Sequence, residues 1–333
     1  MKHIIKNIHI WIMLLLAATA CEKSVVFPSE QDGRILVDAM ITDNGRSRIN
    51  IAVTQPIGGN EKTTADKVRL RMTADGKDIR LIQEESDYTG AMVSYYTDAR
   101  LFPGQKIVLK GEAAGIPSIY AESSVPAMIT EKDLTIKWLI DESSDCFTMT
   151  LSLNDDTISD NDHIGIQVIK RTLYEYIGNI PEDIRKVYDE TNGTEEIDDI
   201  IAERTLTQNS ALSSEQENPI IDFNGGRTVI NNNFKDISID IRRTYRKLVA
   251  SEVNPALDID YNIFKYHDYK IKVFRLSPEL HNYLNSKYIL ADLDAIHLGF
   301  SPTTYIYTNV KGGLGVFAGV SIYESEWYGF LQR

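Results

Sequence analysis

Cys21 is the residue whose surroundings indicate a specific chemistry. Lys2 and Lys6 make the N-terminus positive, an apolar run extends from Ile10 to Ala18, and small residues lead to the cysteine. This arrangement is typical of a secretory signal peptide, and the run is too short to favour a membrane-spanning helix. A thiol at that junction can receive a diacylglycerol, and cleavage then leaves it as a new N-terminus that bears chains such as palmitate. The sequence predicts lipid attachment at Cys21, with an unmodified signal peptide as the alternative.

A cluster of acidic and amide residues at positions 154–162 is a candidate calcium site. Asp156, Asp160 and Asp162 could supply the hard oxygen ligands that Ca²⁺ prefers. The mid-loop glycine and terminal glutamate of an EF-hand are absent from this stretch. The alternative is a solvated acidic loop between two strands, and on that interpretation no metal or other cofactor is expected.

Other spacings do not predict catalysis. Glu195-Glu196 and Asp198-Asp199 lie in a loop-like region and are more simply a solvated face than an acid/base pair. The glycine-rich segment 312–315 lacks the lysine and hydroxyl of a phosphate loop and is interpreted as a turn or bulge before a buried strand. The histidines of the mature chain lack the close spacing of a zinc helix: His163, His267, His281 and His297. We therefore expect no catalytic residues and a protein that is not an enzyme.

Period-two alternation dominates the first third of the chain. Apolar residues recur at every second position from Ile35 to Ile41, and Val68, Leu70 and Met72 alternate with polar residues. Glycine and proline turns separate these runs, as in immunoglobulin-like sandwiches. The pattern predicts a signal peptide over residues 1–20, a tether over 21–33 and an immunoglobulin-like β-sandwich over 34–127.

Residues 128–333 are expected to form a second β-rich domain. Alternation is clear from Phe147 to Leu153 and returns after position 236, whereas residues 174–233 are polar and acidic and predict a loop-rich insertion. Ser277-Pro278 signals a helix start, and the apolar spacing continues it to Ala291. The expected fold is mainly β, with one helix near the C-terminus.

The charge of the chain limits its partners. The formal net charge is −13, and no run of basic residues in the sequence offsets it, so nucleic-acid binding is not expected. The acidic body would not adsorb to anionic lipid, which leaves the anchor as its link to a membrane. If Cys21 carries lipid, Cys146 has no cysteine partner within the chain and a hydrophobic core must stabilise the fold.

The chain resembles an uncharacterised family of Bacteroidota outer-membrane lipoproteins that are often encoded beside TonB-dependent receptors. The resemblance starts at Cys21-Glu22-Lys23 and residues 35–43, continues through residues 101–105 and Val125-Pro126, and is strongest at residues 307–319. That last segment contains the C-terminal motif, which is defined as Asn309, Gly312, Gly313, Gly315, Phe317 and Gly319. The resemblance implies tethering at the outer membrane, exposure at the cell surface and a TonB-dependent receptor as a partner. It assigns no catalytic residues.

Three functions remain open at this point. The first is a non-enzymatic binding or accessory lipoprotein that captures a glycan or peptide, or serves a receptor in nutrient uptake. The second is a surface adhesin or structural component of the envelope. The third is a hydrolase acting on envelope polymers.

Overall fold

The structure is a computed structural model of the chain. It describes residues 33–43, 46–54, 64–84, 92–141, 146–153, 162–197, 220–223, 226–231, 236–242, 246–248, 262–291 and 306–329. The described residues are mainly strands, with two helices, so the predicted mainly β fold is confirmed.

The N-terminal strands form a two-layer sandwich, which confirms the immunoglobulin-like prediction. They are β1 (Ile35–Thr42), β2 (Ser47–Val53), β3 (Arg69–Ala74), β4 (Lys77–Ile79), β5 (Ile82–Gln83), β6 (Met92–Thr97), β7 (Lys106–Glu112) and β8 (Ile119–Ser124). One layer contains β1-β2-β6-β5 and the other has the order β4-β3-β7-β8. The predicted alternation of β1 is confirmed, because Ile35, Val37, Ala39 and Ile41 are all buried.

The second half of the chain adds ten described strands, of which seven extend the first layer into a single large sheet. The ten strands are β9 (Leu134–Asp141), β10 (Cys146–Leu153), β11 (His163–Ile177), β12 (Glu195–Ile197), β13 (Ile220–Phe223), β14 (Gly226–Asn231), β15 (Asp236–Arg242), β16 (Arg246–Leu248), β17 (Asn262–Leu276) and β18 (Leu314–Glu324). β11 and β17 pair along their full fifteen residues. β15-β10-β9 form a separate three-stranded sheet.

The C-terminal strand β18 joins the two halves of the chain. It runs parallel to β1, with Val37 opposite Gly315, and antiparallel to β17. Phe317 enters the core of the N-terminal sandwich, while Val316 and Ala318 point to the other face and pack with the C-terminal helix. Because both faces are buried, the strand is apolar without alternation.

Helix α1 (Glu182–Asp189) and helix α2 (Pro278–Ala291) are the two α-helices of the described residues. The prediction for α2 is confirmed: the backbone N–H of Leu280 bonds to the Ser277 hydroxyl, which caps the helix, and Leu280 and Leu284 are buried under it. Neither described helix is long and apolar enough to cross a membrane.

The described parts of residues 174–233 contain regular structure: the end of β11, helix α1, and strands β12 to β14. Ile184 of α1 packs with Ile180 and Ile263. Residues 198–219 lie outside the described part, so the loop-rich insertion stays a prediction. The boundary near residue 127 also stays a prediction, although the sheet continues across it through β1 and β18.

Candidate functional site

A groove of about 450 Å³ lies on the outer face of the β4-β3-β7-β8 layer. The lining residues are Arg71, Thr73, Asp75, Gly76, Lys106, Val108, Lys110 and Tyr120. Alternation explains why this face is polar: Met72 and Leu109 point into the core, so their neighbours Arg71 and Lys110 must point outward. The groove is therefore built from the solvent-facing halves of strands whose other halves form the core.

The register of the layer aligns four side chains in one line across it, which we call the cation row: Arg71, Lys110, Tyr120 and Lys311. Arg71 is opposite Lys110 in the β3–β7 pair, and Lys110 is opposite Tyr120 in the β7–β8 pair. Tyr120 in turn forms an isolated bridge with Lys311, with N–O distances of 3.0 and 2.8 Å. Three strand spacings separate the ends, roughly 14 Å. Three cations thus lie in one row, with Tyr120 between Lys110 and Lys311, on a chain whose net charge is −13.

The cations of the groove differ in their ion pairs. The Arg71 guanidinium binds both carboxylate oxygens of Asp78, at 2.6 and 3.0 Å. Lys106 lies 3.0 Å from the carboxylate of Glu122. Neither Lys110 nor Lys311 forms a direct ion pair with a described carboxylate, although the charge of Lys311 helps to lower the pKa of Glu122. Their ammonium groups lie 5.8 and 5.6 Å from the centre of the Tyr120 ring.

Tyr120 is held in place from one end. Its hydroxyl donates a hydrogen bond to the Glu122 carboxylate. That bond raises the pKa of Tyr120, and together with Lys106 it lowers the pKa of Glu122. Glu122 is therefore ionised at neutral pH and the phenol stays protonated, which fixes the edge of the ring at the groove.

Two ammonium groups without a direct ion pair, beside an aromatic ring, can bind an anion that also carries an apolar surface. No cysteine, serine or histidine lines the groove. These groove residues were missed at the level of sequence because they come from four separate segments. The only signal was the alternation of cations with apolar residues in β3 and β7, which is also typical of any solvated strand.

The C-terminal motif lies where β18 meets β1 and β8. The Asn309 amide donates to the carbonyls of Glu122 and Phe317 and accepts from the Phe317 N–H, at 3.0, 2.7 and 3.0 Å. Phe317 is fully buried in the N-terminal core. These contacts join the segment of Asn309 to β8 and β18, so this part of the motif stabilises the fold.

The glycines of the motif allow backbones to approach one another. A Cβ on Gly315, whose φ is +92°, would lie 1.9 Å from the Val37 carbonyl oxygen. A Cβ on Gly312, Gly313 or Gly319 would likewise lie within 2.5 Å of a backbone oxygen. Only residues without a side chain allow β18 to pack this closely between β1 and β8.

The calcium candidates are only partly described. Asp156 and Asp160 lie outside the described residues. Asp162 forms an ion pair of 3.1 Å with Arg275, which is buried and also donates to the Ala127 carbonyl. No group of three or more potential metal ligands occurs within the described ranges. Cys21 and the whole predicted signal peptide also lie outside them.

Two histidines that are distant in sequence are stacked in the structure. The rings of His163 and His281 are parallel to within 6°, with centroids 3.6 Å apart. Parallel planes cannot both contain one metal ion, so the pair as it stands is no chelate. His281 is buried.

The fold and the groove define a class: a mainly β protein with a ligand-sized groove on the outer face of its N-terminal sandwich. The sequence matches a family over residues 22–326, and the chain belongs to that family, the domain of unknown function DUF4249. The resemblance noted from the sequence is confirmed to this extent, since the family is uncharacterised. A comparison with curated proteins finds no match.

Solved structures with local similarity are all remote. The adhesin InvE of Yersinia pseudotuberculosis is 8% identical with a TM-score of 0.20; the match covers 73% of this chain and 55% of that one. Bovine butyrophilin is 9% identical, with 72% and 91% covered and a TM-score of 0.21. The Ig1-2 module of the Drosophila receptor tyrosine phosphatase DLAR is 9% identical, with 73% and 90% covered and a TM-score of 0.21. At such TM-scores these likenesses carry no argument about function.

Proposed function

We propose that this protein is a non-enzymatic binding module, held at the outer membrane by lipid on Cys21, which captures an anionic ligand in the groove. The observation that supports the proposal is the cation row, in which Lys110 and Lys311 flank Tyr120 without a direct ion pair to a described carboxylate. The groove offers charge and an aromatic surface, which suit recognition. A role as adhesin or polymer hydrolase has no comparable support.

The anchor is the part of the proposal that rests on sequence. Lipid at Cys21 would hold an acidic body at a membrane that would otherwise repel it, and residues 22–33 would act as a tether. Labelling cells with an alkyne analogue of palmitate tests this directly. We expect label on the wild type and none on Cys21→Ser; equal labelling of both would contradict the anchor.

A TonB-dependent receptor as partner, and uptake of the ligand through it, follow from the resemblance alone. A module that concentrates an anion beside an importer would serve that role. Cross-linking in intact cells followed by mass spectrometry of the complexes should identify such a receptor. If only unrelated envelope proteins are cross-linked, the accessory role in uptake is wrong.

Binding itself is tested with the full-length chain purified in detergent. Polygalacturonate and poly-L-glutamate serve as anionic probes, and dextran serves as the neutral one. We expect at least one polyanion to bind, with affinity that falls as salt rises, and the double variant Lys110→Met/Lys311→Met to lose that binding. Lys287→Met is the matched control, because Lys287 stands 5.5 Å from the Tyr283 ring on α2, away from the groove. Absence of binding, or equal binding by the double variant, would contradict the proposal.

A further inference from the structure

We infer that the ligand of the cation row is a linear acidic polysaccharide. One of its sugars packs on Tyr120, while the carboxylates of the two neighbouring sugars meet Lys110 and Lys311. This inference rests on the proposed function and names the ligand class for the same groove. Four features of the row support it: opposed charges, closed strand edges, the oriented ring and the spacing of the cations.

The first feature is an electrostatic conflict within the sheet. Arg71 and Lys110 are directly opposite in the β3–β7 pair, and like charges at such positions destabilise a sheet. Asp78 neutralises Arg71, but no described carboxylate neutralises Lys110. Of this pair, Lys110 is therefore the cation that a bound anionic ligand would compensate.

The second feature excludes one mode of binding a peptide. β3 pairs with β4 and β7, and β7 pairs with β3 and β8. At Tyr120 the outer edge of β8 is also occupied, by the backbone of Lys311. A peptide therefore cannot pair as an added strand with β7, or with β8 at Tyr120, the mode in which main-chain hydrogen bonds supply the affinity. A ligand must instead lie on the side-chain face, across the strands.

The third feature is the apolar surface on that face. The hydrogen bond from the Tyr120 hydroxyl to Glu122 orients the ring. Val108 lies diagonally beside the ring, on β7 and opposite Glu122. A flat aromatic ring packs well on the C–H face of a sugar ring, whereas the flexible side chain of a glutamate offers no such surface. Because the ring is held before binding, little side-chain freedom is lost when the ligand arrives.

The fourth feature is the spacing of the two lysines in the row. Lys110 and Lys311 lie on either side of Tyr120, two strand spacings apart, or roughly 10 Å. A sugar on Tyr120 would place the carboxylates of its two neighbours toward these ammonium groups. Both the direction of the row and its charge spacing therefore fit an extended polymer that carries acid groups at intervals.

Calorimetric titration of the full-length chain with tetragalacturonate tests the inference. Its fully methyl-esterified form removes the charge but keeps the rings, and a poly-L-glutamate fragment of equal charge keeps the charge but removes the rings. We expect tetragalacturonate to bind most tightly. Each of Lys110→Met and Lys311→Met should weaken it about three- to fivefold, the scale of an exposed ion pair. Lys287→Met should bind as the wild type does.

Tyr120 separates the ligand classes. Tyr120→Leu should weaken tetragalacturonate about fivefold or more and leave poly-L-glutamate unchanged, while Tyr120→Phe, which keeps the ring but loses the hydrogen bond that orients it, should weaken tetragalacturonate less than Tyr120→Leu does. Poly-L-glutamate binding equal to that of tetragalacturonate, with Tyr120→Leu neutral, would overturn the polysaccharide while leaving an anion-binding module intact. Equal binding of the methyl ester would overturn the role of the carboxylates. Failure of both polyanions to bind would overturn the proposed function as well.

Discussion

Acid should destabilise this protein through His281, and the variant His281→Phe should relieve part of that loss. The His281 side chain is 8% exposed and stacks on His163. Burial, followed by the charge of a protonated His163, lowers the pKa of His281 to about 4 from 6.5. Phenylalanine would keep the stacked contact and remove the titration.

The sign and size of the effect follow from proton linkage. Between pH 6.5 and 4 the unfolded chain binds a proton at this position more readily than the folded chain does, so stability falls as the pH falls. A difference of about 2.5 in pKa corresponds to about 3 kcal/mol once the pH is well below 4, and to about 2 kcal/mol at pH 5. The Asp162 carboxylate, next to His163 in the sequence, is paired with Arg275. It is therefore not a free anion that would oppose this shift.

Urea unfolding of the full-length chain, followed by tryptophan fluorescence at pH 8 and pH 5, measures the effect. Carboxylates titrate in both proteins, so the quantity of interest is the difference between wild type and His281→Phe in the free energy lost between the two pH values. We expect the variant to lose about 2 kcal/mol less. His163→Phe should keep most of the wild-type sensitivity, because burial is the larger cause of the shift. If wild type and His281→Phe lose equal free energy, the reasoning is wrong.

Two further predictions concern the position of β18. Gly315→Ala should lower the free energy of unfolding by more than about 2 kcal/mol, because its Cβ would meet the Val37 carbonyl oxygen at 1.9 Å. Gly76→Ala is the matched control: its φ is also positive, but nothing lies within 4 Å, so only about 1 kcal/mol should be lost. Equal losses in urea unfolding would show that the close approach does not matter. Asn309→Ala removes three hydrogen bonds and leaves buried Phe317 without two of them, so about 2–3 kcal/mol should be lost. A melting temperature equal to that of the wild type would contradict this assignment.

The placement of β18 explains a pattern that the sequence alone leaves ambiguous. The run from Leu314 to Val320 is apolar without alternation, and periodicity cannot say what covers each face of such a strand. In the structure, one face contributes Phe317 to the N-terminal core and the other lies under α2. The last strand of the chain is thereby adjacent to the first, and the hydrophobic core of the N-terminal sandwich depends on it.

The same limit applies to the candidate site. The sequence shows Arg71, Lys110, Tyr120 and Lys311 as scattered charged and aromatic residues, and the acidic composition makes a basic surface unexpected. Strand register brings them into one row, and register depends on which segments pair across long stretches of chain. The stacked His163 and His281 were missed for the same reason, since their spacing matches no local motif.

The local properties of this protein were readable from its sequence. Alternation predicted the strands and which residues face the core, Ser277-Pro278 predicted the start of α2, and the N-terminal segment predicts an anchor at Cys21. These features depend on neighbours only a few residues away, so chain order alone determines them. The parallel pairing of β18 with β1, the cation row and the histidine stack were decided by the tertiary structure, because each joins residues that only the packed sheets bring together.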